Sequence, residues 1–283
     1  MTSPVSAAFI ETFNSRVKQQ YQGMGKLRMC VRYHTDVVGK SHAFPLMQAG
    51  EANSRGAAHS DLVPLDGEVT LPVAIMEDWN APQFIDDFEQ FRVNWSIQSE
   101  YQKKIAMAIT RREDAIILAA LTASGTSKVV ANDISGSVAN LTMDALRRAA
   151  KLLNDDEVDD MDRYMAISSG ALEGLLGETE VTSSDYQTVK ALVNGDVDTI
   201  VGFKFKMLGG SRRVGGLPID GNLDRTCYAW QKDAVGYAMA EEISTRVDYS
   251  ASKGSWVVKA NLSSGAVAID PLGIVNVIVR EAA

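Results

Sequence analysis

Between Ser96 and Ser124 the residues Ile97, Tyr101, Ile105, Ala108, Ile109, Ile116 and Ala120 recur at helical spacing, and Gly125 ends the run. At 1.5 Å per residue such a helix is about 43 Å long, more than the diameter of a small domain. An element of that length cannot sit in a corner of a compact fold. It has to cross most of it and serve as a spine on which other elements pack. The remaining chain suffices for that: 283 residues, 46% of them hydrophobic, can bury one large core or two modest ones.

Other elements are read around this spine. Ser3 to Gln22 opens with a Ser3-Pro4 start signal and places Ile10, Phe13, Val17 and Tyr21 on one face, predicting an amphipathic helix that ends near Gly23. Leu27 to Tyr33 and Glu68 to Ile75 read as strands. Between them, residues 36–66 are polar, glycine-containing and weakly patterned. Roughly thirty such residues exceed an ordinary connection, so the stretch is either disordered or an arm that packs on another molecule. After the spine, Thr142 to Leu153 reads as a helix with Thr142 as N-cap, and Arg163 to Ser168 as a strand. Helices are expected at Gly170 to Leu176 and Ser184 to Val193. Thr199 to Leu208 is an alternating strand, with Phe203, Phe205 and Met207 on one face and Lys204 and Lys206 on the other. A strand at Cys227 to Trp230, a helix at Asp233 to Met239, and strands at Glu242 to Tyr249, Trp256 to Ala260 and Ile274 to Val279 complete the reading. The class is α+β, with mostly antiparallel strands.

The sequence argues against most site chemistry. Gly39-Lys40-Ser41 resembles the end of a phosphate-binding loop, but the glycine needed five residues earlier is His34. The acidic run Asp155, Asp156, Glu157, Asp159, Asp160, Asp162 fails as a calcium loop. A register starting at Asp155 puts Asp160 where glycine is required and Ala166 where the bidentate glutamate belongs, so the run reads as a solvated turn. His34, His42 and His59 lack zinc-site spacing. There is no GxSxG elbow, and Gly209 to Gly216 lacks the setting of a dinucleotide loop. That stretch is a flexible basic loop, either a surface turn or a contact loop whose Arg212 and Arg213 pair with carboxylates on a neighbour. Cys30 and Cys227 stand far apart and read as reduced thiols. No catalytic residue, cofactor or metal is expected.

The net charge of −8 argues against a surface built to grip phosphates, so contact with nucleic acid should be weak and non-specific. No apolar run is long enough for a membrane span, and Met1 to Ala8 lacks the character of a secretion signal; the chain is expected to stay in the cytoplasm where it is made.

Gly67 to Val73, then Phe84-Ile85-Asp86-Asp87-Phe88-Glu89, Ser99-Glu100-Tyr101, Ala106-Met107-Ala108 and Asp114 resemble, in order and spacing, the major capsid proteins of short-tailed, podovirus-like phages. Trp230, Lys232 to Gly236 and the Glu241 to Tyr249 stretch are similar to the later part of those proteins. The resemblance implies the tailed-phage and herpesvirus capsid fold. Residues 1–30 would be an N-terminal arm and 31–75 an extended hairpin loop. Residues 76–135 and 229–283 would form a peripheral domain holding the spine 96–124, and 136–228 an axial domain. It implies an icosahedral shell of pentamers and hexamers around double-stranded DNA, a portal protein, and no membrane, with room for a decoration protein. Because the chain begins at the arm, a separate scaffolding protein is implied as well. The protein would reside in the virion after assembly in the host cytoplasm. Phe13, Arg55, Arg212 and Arg213 are the expected intersubunit contacts, the last two near a symmetry axis. Some members cross-link neighbours through a lysine on the extended loop, but here Ser41 to Gln102 contains no lysine. An encapsulin-like nanocompartment keeps the fold with a different cargo, and a soluble enzyme with scattered site residues would have to explain the unpatterned stretch.

Overall fold

The computed structural model describes residues 25–54, 56, 67–86, 97–134, 136–177, 199–209, 216–240 and 244–281. The expected helices Ser3 to Gln22 and Ser184 to Val193 lie outside them. The chain divides into two compact units.

One unit, residues 1–24, 78–110 and 243–262, holds strand β6 (Glu77–Asp86) from Asp78 on, the first half of helix α1 (Ile97–Thr122), strand β12 (Ser244–Ser250) and the start of strand β13 (Ser255–Ala268). Strand β12 pairs with β13 from Ser244 opposite Asn261 to Ser250 opposite Ser255, and β6 also pairs with β13. Tyr249 and Trp256 meet edge to face at 5.2 Å, while the Lys253 ammonium lies 4.0 Å from the Phe84 ring centre. In this half α1 buries Ile105 and Ile109.

The second unit contains a five-stranded sheet in the order β7 (Val129–Val130), β14 (Ile274–Arg280), β10 (Asp224–Gln231), β8 (Arg163–Ile167), β9 (Phe203–Met207). Its central strands carry the largest buried side chains, Trp230 and Tyr228, with Met165, Val275 and Val277 beside them. Helix α2 (Met143–Asn154) is capped as its sequence predicts, the Thr142 hydroxyl accepting a hydrogen bond from the Ala145 amide at 3.2 Å. It buries Leu146, Ala149, Ala150 and Leu153 on one face. Helix α3 (Ser169–Leu176) is capped the same way by Ser168. Strand β1 (Arg32–His34) runs parallel to β11 (Val235–Met239), which pairs antiparallel with the far end of β13.

Three expectations are corrected. The segment Asp233 to Met239 is not a helix: a 3-10 turn at Lys232–Ala234 leads into β11, all five residues of which are buried. A short run buried on every side carries no period, and only its neighbours decide between helix and strand. Here Gly236 admits the Phe44 ring so closely that a Cβ would lie 2.7 Å from it. Leu27 to Tyr33 is not one strand: a 3-10 turn at Arg28–Cys30 precedes β1, which runs only from Arg32 to His34. Strand β13 continues eight residues past Ala260, through Ser263-Ser264-Gly265, a sequence that reads as a turn until β11 pairs with it.

The spine also departs from its sequence reading in its second half. There α1 buries Glu113, Asp114, Ile117, Leu118 and Leu121, and Ile116 is only half-buried. Asp114 accepts the backbone amides of Lys26 at 2.9 Å and Leu27 at 2.9 Å, and Glu113 accepts the Tyr237 hydroxyl at 3.0 Å. Burial pushes the Glu113 carboxyl upward, against the hydrogen bond from Tyr237.

Candidate functional site: the extended hairpin

Within the second unit the described residues between 41 and 75 pair as a two-stranded ribbon. Strand β2 (Ser41–Ala43) pairs with β5 (Val73–Ile75), and further out β3 (Leu46–Met47) pairs with β4 (Val69–Thr70). Bonds from Met76 N–H to Lys40 O, Phe44 N–H to Pro72 O and Gln48 N–H to Glu68 O continue the ladder. The base is anchored by a buried cluster of Val37, Phe44, Ala74, Ala238 and Ile269, with Leu46, Met76 and Val267 against it. Gly265 is required at that anchor, since a Cβ there would stand 2.1 Å from the Ile75 carbonyl oxygen.

Outside the anchor the pattern inverts. Along residues 69–75 side chains alternate between faces. The even positions Thr70, Pro72 and Ala74 face inward to varying degrees, whereas Val69, Leu71, Val73 and Ile75 all face solvent, Leu71 at 59% and Ile75 at 70% exposure. Met47, opposite Val69, is 72% exposed. A period-two apolar face on a two-stranded ribbon without a covering layer is unfavourable in water, and such a ribbon is marginal by itself. It is a surface made to be covered.

At the hairpin base His34 and His42 stack at 4.3 Å between ring centres, and Phe44 meets His42 edge-on at 4.7 Å. Desolvation, with charge on His34 and Arg32 adding to it, holds the His42 imidazole below its usual range. A folded pKa below the unfolded one means that the unfolded chain binds the proton more readily. The neutral His42 imidazole therefore contributes stability above about pH 6.5 that is lost as pH falls below it. The midpoint of thermal unfolding should fall more steeply between roughly pH 7 and pH 5 for the native chain than for His42→Phe, which keeps the stack and removes the titration. Parallel curves would show that the pair does not report on the fold.

Phe13, Arg55, Arg212 and Arg213 all lie outside the described residues. Sequence reading saw the strand at Glu68 to Ile75 but not that its apolar face would be left open; the available signal was strict alternation on a segment flanked by unpatterned chain. Cys30 and Cys227 are free and buried, and burial pushes their thiols up to about 11 and about 12. Among the described residues no group of three or more His, Cys, Asp or Glu could hold a metal ion. No helix among them is long and apolar enough to cross a membrane.

The described elements are thus a long helix, mixed sheets and an anchored ribbon with an open apolar face. The profile of the family described as phage capsid protein matches residues 5–281, and the chain belongs to that family. Solved capsids share the fold. The capsid of cyanophage P-SCSP1u is 14% identical, with 100% of this chain and 96% of that chain covered at a TM-score of 0.73. The capsid of Ralstonia phage GP4 is 9% identical, covering 98% and 96% at a TM-score of 0.73. The acid-stable capsid of Helicobacter pylori bacteriophage KHP30 is 10% identical, covering 98% and 97% at a TM-score of 0.75. No curated protein matches the chain. These matches favour a phage shell over an encapsulin nanocompartment.

Proposed function

We propose that copies of this chain form pentamers and hexamers of an icosahedral shell enclosing a double-stranded DNA genome, each copy laying its extended hairpin over a neighbour. The observation that carries this reading is the open apolar face of Val69, Leu71, Val73, Ile75 and Met47, which one chain by itself leaves in water. In this scheme residues 1–30 are the arm and 31–75 the reaching loop. Residues 76–135 and 229–283 form the peripheral domain, and 136–228 the axial domain. The chain does no chemistry; its work is self-association. Assembly takes place in the host cytoplasm with a separate scaffolding protein and a portal protein, and the finished shell leaves room for a decoration protein. The net charge of −8 favours a lining along which packaged DNA slides over one that binds it. Electron microscopy of the expressed protein tests the whole scheme: shells, tubes or rings support it, and a monodisperse monomer under all conditions contradicts it.

Phe13, Arg55, Arg212 and Arg213 are proposed as contacts between copies, the two adjacent arginines pairing with carboxylates around a symmetry axis. Changing both Arg212 and Arg213 to Glu repeats a like-charge clash around each ring, so capsomers should fail while the isolated chain melts as before. An equal loss of thermal stability would make these arginines part of the fold instead.

Cohesion should be non-covalent. A loop cross-link needs an amine on a long stem at the reaching end, and Ser41 to Gln102 contains no lysine. Particles boiled in detergent should run as one band near 30.6 kDa. A ladder surviving reductant would contradict this.

A further inference from the structure

The outward side of α2 forms one wall of a cleft of about 540 Å³, lined by Arg147, Arg148 and Lys151 and floored by Val129, Val130 and Ile134. Val129 and Ile134 are apolar yet exposed. Arg147 is tied to Asp144 at 3.1 Å, while among the described residues no ion pair holds Arg148 or Lys151. Directly after α2 the chain makes a turn of opposite sign, where Asp155, Asp156, Glu157, Asp159 and Asp160 are all exposed. Lys128 pairs with Asp156 and Arg163 with Asp160. Asp155 and Glu157 are left with no ion pair among the described residues. The turn is braced from within: the buried Arg163 guanidinium donates to the carbonyls of Asp159 and Val158 and to Asn154 Oδ1 at 2.7 Å. It is a preformed acidic knob, and docking it forfeits little conformational freedom.

The turn follows the C-terminal end of the helix whose side forms the wall, and its Asp156 is already held by Lys128, which is not among the residues lining the cleft. We propose that the acidic turn Asp155 to Asp160 of one copy seats in the Arg147, Arg148 and Lys151 cleft of a neighbouring copy. This rests on the reading of the chain as a self-assembling shell subunit. In a chain of net charge −8, a cationic cleft with an apolar floor is a surface complementary to the chain itself. The apolar floor of Val129, Val130 and Ile134 suits a folded protein turn better than a phosphate backbone.

The test is a charge swap in the full chain, read as particle yield by sedimentation and electron microscopy, with thermal melting of the unassembled protein as the control. Arg148→Glu with Lys151→Glu, and separately Asp155→Lys with Glu157→Lys, should each lower particle yield at least about tenfold without moving the melt. All four changes in one chain should restore it to within about twofold of the native protein. Where the lysine pair lowers the melt, Asp155→Asn with Glu157→Gln reads the same contact with a smaller loss. Native yield from both swapped pairs, or a four-fold variant no better than the worse pair, overturns the proposal. So does a cleft variant that loses bound DNA fragments while the turn variant assembles normally, which would make the cleft a phosphate site. A native chain that forms no particles strikes at the shell reading itself and removes this one with it.

Discussion

Val69→Asp combined with Leu71→Asp should abolish particle formation while leaving a folded, soluble chain. Both side chains stand on the open face of the hairpin, so the unassembled protein loses little by their change; exposed substitutions usually move stability by no more than about 0.5 kcal/mol each. The assembled state is affected very differently. Each buried Val or Leu contributes about 1.5 to 3 kcal/mol of apolar burial, and an unpaired carboxylate trapped in its place costs several kcal/mol more. A loss of only about 3 kcal/mol weakens one contact by more than a hundredfold, and a shell repeats the contact at every subunit. Deleting Gly50 to Ser60 should give the same result by shortening the hairpin's reach. Sedimentation and electron microscopy read the outcome, with a melting curve to show that the chain still folds. Normal shells from either variant would remove the hairpin from the assembly mechanism.

Asp114→Ala should be the most damaging single change to the fold itself. The carboxylate is 1% exposed and accepts the amides of Lys26, at 2.9 and 3.1 Å, and Leu27, at 2.9 Å. Removing it strands the buried Leu27 amide, at about 1 to 3 kcal/mol, and costs the part-buried Lys26 amide its acceptor as well, so a total near 2 to 4 kcal/mol is expected. For a protein of this size that lowers the unfolding midpoint by roughly 10 °C. Asp114→Asn keeps one acceptor oxygen and should lose about half as much. A midpoint within about a degree of native for Asp114→Ala would mean that water or a rearranged backbone satisfies those amides.

Much of this fold is legible in the amino-acid sequence. The spine helix declared itself by period, the α2 helix by its Thr142 cap, and β8 and β9 by alternation, because each of these signals is local: a few residues decide capping and which face turns inward. The family resemblance was carried by short motifs in order, such as Ser99-Glu100-Tyr101 at the head of the spine. The absence of a lysine from Ser41 to Gln102 is a property of sequence alone.

Other features existed only once distant segments met. Val235 to Met239 became a strand because β1 and β13 enclose it, and Gly236 is explained by the Phe44 ring, almost two hundred residues away. Glu113 and Asp114 look like polar interruptions of an amphipathic helix; they are buried because Tyr237 and the amides of Lys26 and Leu27 supply the partners that make burial tolerable. The alternation of Val69, Leu71, Val73 and Ile75 was visible as a pattern, but a pattern does not say whether its apolar face is covered. Local chemistry determined which elements this chain makes, whereas exposure, and with it the surface offered to another copy, is a sum over everything packed nearby and was decided only by the tertiary structure.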